Sequence, residues 1–366
     1  MLDEKTIAVV IPAYNEENQI DRVLENMPDF VDRIVVVDDC SNDGTSRVVQ
    51  SFIEKDTTDY YMEAIGPRTV ARNYYNEAEI ILQEYEQKEI ESFLPSQIWN
   101  SDPERNRIIL IRNERNGGVG AAIARGYKWC KDHLIDCTAV MAGDGQMDPE
   151  ELESICNPVV QENIDYVKGN RLIHRSAKMV IPRTRYFGNS ILSILTKVAS
   201  GYWRVSDTQT GYTAISLHAL GKLDLPEIYG SYGMPNDMLV KLNIASCTLK
   251  EVEIKPVYRI GEKSKMKLIK VIPRVSWLLF KAFFRRIWTR YFKRDFHPLF
   301  LLYMLGIFLF LASIPFLVEI LQNLFVAGKV TPNSILVIYI FLVISGLQSF
   351  FFAMWMDIQD NDRLQK

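Results

Sequence analysis

The 366 residues contain no CxxC pair, no HExxH and no GxxxxGK[ST]. The five cysteines (40, 130, 137, 156, 247) and four histidines (133, 174, 218, 297) are scattered along the chain. That spacing argues against a disulfide framework and a structural zinc site. It suits a reducing compartment, where thiols act as small buried hydrophobes. A formal net charge of −3 argues against a general nucleic-acid binder. The start, MLDEKTIAVVIPAYNEE, puts charge before a short apolar run and polar residues after it. It reads as a first strand and not as a signal peptide.

What is present is a split of charge. Residues 263–294 hold eleven Lys/Arg and no Asp/Glu, which leaves 31 basic and 45 acidic residues elsewhere, a net of −14. An acidic body joined to a basic collar points to a membrane surface. Two apolar runs follow the collar, 298–320 (PLFLLYMLGIFLFLASIPFLVEI) and 334–356 (SILVIYIFLVISGLQSFFFAMWM). Each is roughly 34 Å of helix, enough for a hydrocarbon layer of about 30 Å. Buried core helices are the competing reading, and two such runs in tandem at one end favour spans. The linker carries Gly328 and Pro332 and is short, so the pair reads as a hairpin with both ends on one side. Lys/Arg near membrane ends stay cytoplasmic. The collar therefore places the body and the tail (357–366) in the cytoplasm, in an integral membrane protein of a prokaryotic plasma membrane or its equivalent. Within 271–292, Trp277, Phe280, Phe284, Trp288 and Phe292 interleave with Lys281, Arg285, Arg286 and Arg290. One or two amphipathic helices are expected there, aromatic side toward lipid and cations toward headgroup phosphates.

The first 260 residues alternate strand-like and helix-like segments, which predicts an α/β sheet with helices on both faces. Strands are expected at 6–11, 33–37, 108–112 and 139–141, and helices at 19–27, 46–54 and 121–131. Each strand ends in a polar cluster: Asn15-Glu16, Asp38-Asp39, Asn116-Gly117-Gly118-Val119-Gly120 and Gly143-Asp144-Gly145-Gln146. Ligands bind at such ends in open α/β sheets. Residues 55–107 interrupt the rhythm as an insertion with a helix expected at 68–93. The glycines at 117, 118 and 120 do not make GxGxxG, since Ile123 stands at the last position, and they follow the third strand and not the first. That pattern argues against NAD. They instead allow a close backbone approach at a helix start, where N–H groups can face an anion. Asp144 and Gln146 on a tight turn offer a carboxylate and an amide to a hard cation. Asp148 opens the next helix and is read as its cap.

Together VVIPAYNE (9–16), VVVDDCSNDGT (35–45), NGGVGAAIARGY (116–127) and AGDGQMDPEE (142–151) closely resemble the inverting family 2 glycosyltransferases with the GT-A fold. GNR (169–171), PRTRYFGN (182–189), DTQTGYTAIS (207–216) and YRIGEKSKMK (258–267) before two spans resemble the polyprenyl-phosphate branch. The resemblance covers about 1–54 and 108–275 plus the two-span layout. It implies a GT-A catalytic domain (1–260), a basic juxtamembrane segment (261–297), spans (298–356) and a tail.

Site roles follow from the resemblance. Pro12, Tyr14 and Glu16 would line the base and ribose pocket, Asp39 would contact base or ribose, and Asp38 would support that loop. Gly118 would sit under the nucleotide, and Asp144 with Gln146 would hold Mg²⁺ or Mn²⁺ against the diphosphate. Ala142 stands where the family's DAD-G-Q run has its first Asp. Arg171, Arg185 and Asn189 would grip the phosphate of the acceptor lipid. Asp237 falls at the position of a catalytic acid in other members and would orient acceptor or sugar. Gln209 and Asp207 would floor the sugar pocket, and Arg259, Lys263 and Lys265 would close over the diphosphate. QxxRW is absent, which disfavours processive polymer synthesis. The implied reaction is transfer of one hexose from a UDP- or GDP-sugar to dolichyl or undecaprenyl phosphate. The alternatives are another lipid or glycan acceptor, or an inactive nucleotide-sugar-binding scaffold. The paired spans are compatible with a homo-oligomer, although no GxxxG face specifies one.

Overall fold

Ile7, Val9 and Ile11 of the first strand enter one hydrophobic layer, while Ala8 and Val10 enter another. That alternation is the strand period of two, and it makes this a strand covered on both faces. The computed structural model describes residues 2–58, 61–64, 71–181, 183–257, 268–325 and 330–366. Side chains at 178, 183–187 and 268–270 lie outside that set.

Along the chain run β1 (Ile7–Ala13), α1 (Ile20–Glu25), β2 (Arg33–Asp38), α2 (Thr45–Lys55), α3 (Glu77–Ser92), β3 (Ser96–Ile98) and β4 (Ile108–Asn113). Next come α4 (Val119–Asp132), β5 (Cys137–Val140), α5 (Leu152–Glu162), β6 (Tyr166–Asn170), α6 (Ala177–Val180) and α7 (Arg183–Ser200). The rest are β7 (Thr213–Ser216), α8 (Leu217–Lys222), α9 (Met234–Ile244), β8 (Leu249–Glu253), α10 (Leu268–Trp288), α11 (Pro298–Phe325) and α12 (Asn333–Asp362). The strands form one sheet in the order β3-β4-β2-β1-β5-β7-β6-β8. β4, β2, β1 and β5 are parallel, whereas β7 runs antiparallel to both its neighbours. The expected mixed α/β sheet with helices on both faces is present. α1, α2 and α5 pack on one face, and α4, α8 and α9 on the other.

The insertion differs from expectation. Its helix begins at Glu77, because Asn73 and Asn76 bond the backbone locally: Asn76 Oδ1 accepts the Asn73 N–H at 2.7 Å, and its amide donates to Ala71 O at 2.6 Å. Asn side chains compete with helical bonds in this way. Residues 68–70 of the expected helix lie outside the described residues. The end of the insertion is β3, the sheet's edge, antiparallel to β4.

A third apolar layer joins α7, α9 and α10 to α11 and α12. α10 is one helix, packed through Val275, Leu279, Ala282, Phe283 and Ile287, while Trp277, Phe280 and Trp288 stay exposed. The expected spans lie inside longer helices, both long and apolar enough to cross a membrane. They pack on each other where Gly306 meets Gly346, and Ser349 Oγ donates to Leu302 O at 2.9 Å. α12 continues past the apolar run to Asp362, and the chain then returns to the sheet. Leu249 N–H donates to Leu364 O at 2.7 Å, and Lys366 N–H to Leu249 O at 3.0 Å. The collar cations do not all face outward as expected. Arg286 and Arg290 are buried because the end of α12 supplies their partners, Asp357 and Asp360.

Candidate active site

The register brings the polar clusters level. Ala13 lies opposite Asp38, and Asp38 opposite Arg112, so β1, β2 and β4 end together. Gly143 N–H donates to Pro12 O at 3.3 Å, which sets the turn after β5 beside the end of β1. Pro12 is buried in the strand, and Tyr14 and Glu16 are half-buried just beyond it. Asn15 adopts φ 55°, and its loop is stitched to the next. Asn15 N–H donates to Ser41 Oγ at 3.0 Å, and Glu16 N–H to Thr45 Oγ1 at 2.9 Å.

Asp38 is fully buried and ties its own loop, accepting the Ser41 N–H at 2.8 Å and the Ser46 hydroxyl. Asp39, 2% exposed, accepts three donors: Asn113 Nδ2 at 2.8 Å, Gly117 N–H at 2.9 Å and Gly118 N–H at 2.7 Å. These bonds compensate the desolvated carboxylate. The start of α4 was expected to face an external anion; the anion met by these amides is Asp39 itself. Gly120 N–H is also taken, by Gly230 O at 2.9 Å. Gly118 has φ +86°, and a Cβ there would lie 2.3 Å from Gly230 O, so the approach of two backbones requires glycine.

The segment that ends at Gly230 leads into α9, where Asp237 is 2% exposed. Its carboxylate accepts Tyr229 N–H at 3.1 Å, pairs with Arg285 Nη2 at 3.1 Å and lies 3.5 Å from Lys241 Nζ. Asn236 Oδ1 receives Gln209 Nε2 at 2.9 Å and Thr196 Oγ1 at 2.8 Å. Gln209 N–H in turn donates to Asp207 Oδ1 at 3.3 Å. Asp207 binds Arg171 through Nε at 2.8 Å and Nη2 at 3.0 Å, a bidentate fork at the end of β6. Burial by itself would raise the Asp207 carboxyl, but Arg171 and Lys168 outweigh it and hold the group below its ordinary value. Lys168, fully buried nearby, is pushed down to about 8 by desolvation, against the opposing pull of Asp207 and Glu251.

The structure thus gathers Asp38, Asp39 and Gly118 in one cluster, and Gln209, Asp207 and Arg171 in a second. Asp237 joins them through Tyr229 and Asn236. Asp144 and Gln146 sit half-buried on the turn after β5, with Asp144 Oδ1 accepting the Gln146 N–H at 3.1 Å. Asp148 caps the following turn by accepting Glu150 N–H at 3.0 Å. Asn189 is half-buried on α7. Arg185 lies in α7 with its side chain outside the described set, and Arg259, Lys263 and Lys265 lie outside the described residues.

Sequence reasoning missed Asn113, Lys168, Gly230, Glu251 and Arg285. Glu251 accepts Ser206 N–H at 3.0 Å and Asp207 N–H at 3.1 Å, which fixes the loop that carries Asp207. Arg285 was assigned to the lipid-facing collar, and nothing in its spacing signals a partner 48 residues upstream.

The oxygen-only donors at 144 and 146 fit a hard cation. Among the described residues no group of three His, Cys, Asp or Glu could hold a metal ion. A cation here would therefore take most of its ligands from phosphate oxygens and water.

The sequence profile described as Glycosyl transferase family 2 matches residues 8–63 and 74–223. A UDP-N-acetylglucosamine-dolichyl-phosphate N-acetylglucosaminyltransferase of Methanococcus voltae is 27% identical over 257 residues, covering 70% of this chain and 87% of that protein. An undecaprenyl-phosphate mannosyltransferase of Micrococcus luteus is 24% identical over 263 residues, 71% of this chain and 87% of that one. Among solved structures, glucosyl-3-phosphoglycerate synthase from Mycobacterium tuberculosis with UDP aligns at 19% identity and TM-score 0.45, covering 77% of this chain and 80% of that one. The profile spans more than half of the sequence and takes in the clusters around Asp39, Gly118 and Asp144, so the chain belongs to Glycosyl transferase family 2 and is a glycosyltransferase.

Proposed function

We propose that the protein transfers one hexose from a UDP- or GDP-sugar to a polyprenyl phosphate at the cytoplasmic leaflet, with inversion at the anomeric carbon. The observation that carries the acceptor class is Asp237. Both of its oxygens are engaged, by Arg285 on one side and by Tyr229 N–H and Lys241 on the other. A neutral hydroxyl acceptor needs a general base with an oxygen open to meet its proton, and both oxygens of Asp237 already face donors. A lipid phosphate arrives already ionised. Its oxygen forms the new bond to the anomeric carbon while the bond to the diphosphate breaks, and the pair of electrons leaves with the nucleoside diphosphate. The acceptor also suits the place: α10 packs on α9 and leads into two helices long and apolar enough to cross a membrane. Names of relatives point the same way.

In this reading Pro12, Tyr14, Glu16 and the loops held by Asp38 and Asp39 receive the nucleotide, with Gly118 beneath it. Asp144 and Gln146 would hold Mg²⁺ or Mn²⁺, which supplies positive charge to the departing diphosphate. Arg171, oriented by Asp207, grips the lipid phosphate together with Arg185 and Asn189, and Gln209 borders the sugar. Arg259, Lys263 and Lys265 cover the diphosphate. The test is a screen of radiolabelled UDP- and GDP-hexoses with undecaprenyl or dolichyl phosphate, read as lipid-extractable label. Label is expected with a lipid phosphate, and Asp237→Asn should lower it only in part. Label on a neutral lipid or glycan instead, abolished by Asp237→Asn, overturns the acceptor. Nucleotide binding without transfer to any acceptor would establish the scaffold reading in its place.

A further inference from the structure

A cavity of about 350 Å³ lies away from the candidate active site, where the end of α10, the start of α11 and the end of α12 converge. Ligand sites occupy about 300–1,000 Å³, so it is large enough for a small headgroup. Arg290, Arg294, Arg363 and His297 line it, against Asp295 and Asp360. Asp360 is already balanced by Arg290 Nη2 at 2.9 Å and the Tyr291 hydroxyl at 3.0 Å. Arg290 is spent: Nη1 also donates to Asn243 and Asn361. The other two arginines are not. Arg363 is 70% exposed and 3.7 Å from Asp360. Among the described residues, Arg294 makes one long bond, 3.3 Å to Ile244 O.

The depth of this cavity identifies its ligand. His297 directly precedes α11, and Asp360 lies four residues, or about 6 Å of helix, past the last residue of the apolar run that ends at Met356. Exposed Trp288, Phe292 and Phe296 run alongside on the π-turn (Thr289–Arg294) and its flanks, a belt of the kind that sits at headgroup level. Two under-paired guanidiniums at that level present forked donors to a phosphate.

We propose that this cavity is a second phosphate site, separate from catalysis, which binds the phosphodiester of an anionic membrane lipid and seats the hairpin against the body. It stands whether or not the acceptor assigned above is right.

The test uses the full chain in neutral detergent. Native mass spectrometry and thermal unfolding are followed while phosphatidylglycerol, phosphatidylcholine or glycerol phosphate is added. Phosphatidylglycerol is expected to bind and to raise the melting temperature, with phosphatidylcholine much weaker. In R294Q/R363Q the phosphatidylglycerol affinity should fall about tenfold or more. Both side chains are exposed, so folding should survive, and near-ultraviolet circular dichroism checks that it does. Equal binding of the two lipids by the wild-type protein overturns the proposal without any variant. So does an unchanged affinity in the folded variant. Stabilisation by glycerol phosphate equal to that by the lipid overturns the lipid source and leaves a site for a soluble phosphate.

Discussion

Arg286 on α10 and Asp357 on α12 form a bidentate ion pair, with both oxygens 2.8 Å from guanidinium nitrogens and both side chains fully buried. Arg286 Nε also donates to Ala199 O at 2.8 Å, and Nη2 to Val198 O at 3.1 Å, the carbonyls that close α7. A cation is favoured at a helix C-terminus. Asn361 joins the pair through Asp357 Oδ1 at 2.8 Å. The second apolar helix is therefore fastened to the catalytic body by a buried polar network.

Breaking that network from one side strands a charge. Asp357→Ala should cost about 3–5 kcal/mol, the usual penalty for an uncompensated buried partner. Replacing both groups with apolar ones (R286M/D357L) should recover most of it. Denaturation of the detergent-solubilised protein, followed by tryptophan fluorescence, makes the comparison. A double variant as weak as the single would show that the pair itself supplies the stability.

Gly118→Ala should disrupt the site, whereas Gly221→Ala should not. The first puts a methyl at φ +86° and 2.3 Å from a backbone oxygen, while the second meets nothing within 4 Å. The expected result is loss of nucleotide binding, with about 1–3 kcal/mol of strain, for Gly118→Ala. Gly221, inside α8, should gain up to about 1 kcal/mol from reduced chain entropy. Calorimetric titration with UDP and GDP, and melting curves, separate the two.

Asp39→Asn keeps the shape but turns an acceptor of three N–H bonds into a group that must also donate. At least one of Gly117 or Gly118 then faces an amide N–H. Hydrogen bonds to a charged group are worth about 1.5–3 kcal/mol each, so donor-nucleotide affinity should fall about tenfold to a hundredfold as the turn loosens. An unchanged dissociation constant would mean that the turn is held by Gly230 alone.

Much of this fold is legible in the sequence, because strands buried on both faces write themselves as apolar runs. β1, β2 and β4 stand out in that way, and the polar residues after them fall at one edge. β3 is not legible: three residues, two of them exposed, on an edge strand leave no periodic trace. Pairings are harder still. Arg285 with Asp237 and Arg286 with Asp357 join residues 48 and 71 apart, and adjacent arginines on one helix turn to different partners. Composition marks both only as collar cations. The packing of α10 between the body and the two apolar helices decides which of them stays exposed: Arg285 is partly exposed and Arg286 is fully buried.

Lys168 gives stability a pH dependence whose sign is set by burial. Its ammonium is fully buried, and its pKa falls from 10.5 to about 8. Below pH 8 both folded and unfolded chains carry the proton, and the folded state bears the desolvation cost in full. Between 8 and 10.5 the folded chain has released the proton while the unfolded chain keeps it, so stability rises with pH across that window. Above 10.5 neither holds it and the gain is complete, at roughly 3 kcal/mol for a shift of this size. Buried tyrosines titrate in the opposite sense at high pH, but they are common to wild type and variant. The difference in unfolding free energy between wild type and Lys168→Met therefore isolates this group. It should move in favour of the wild type from pH 8 to 10.5. A flat difference would mean that Asp207 and Glu251 hold the ammonium charged throughout, and that the Arg171–Asp207 fork has a permanent third member.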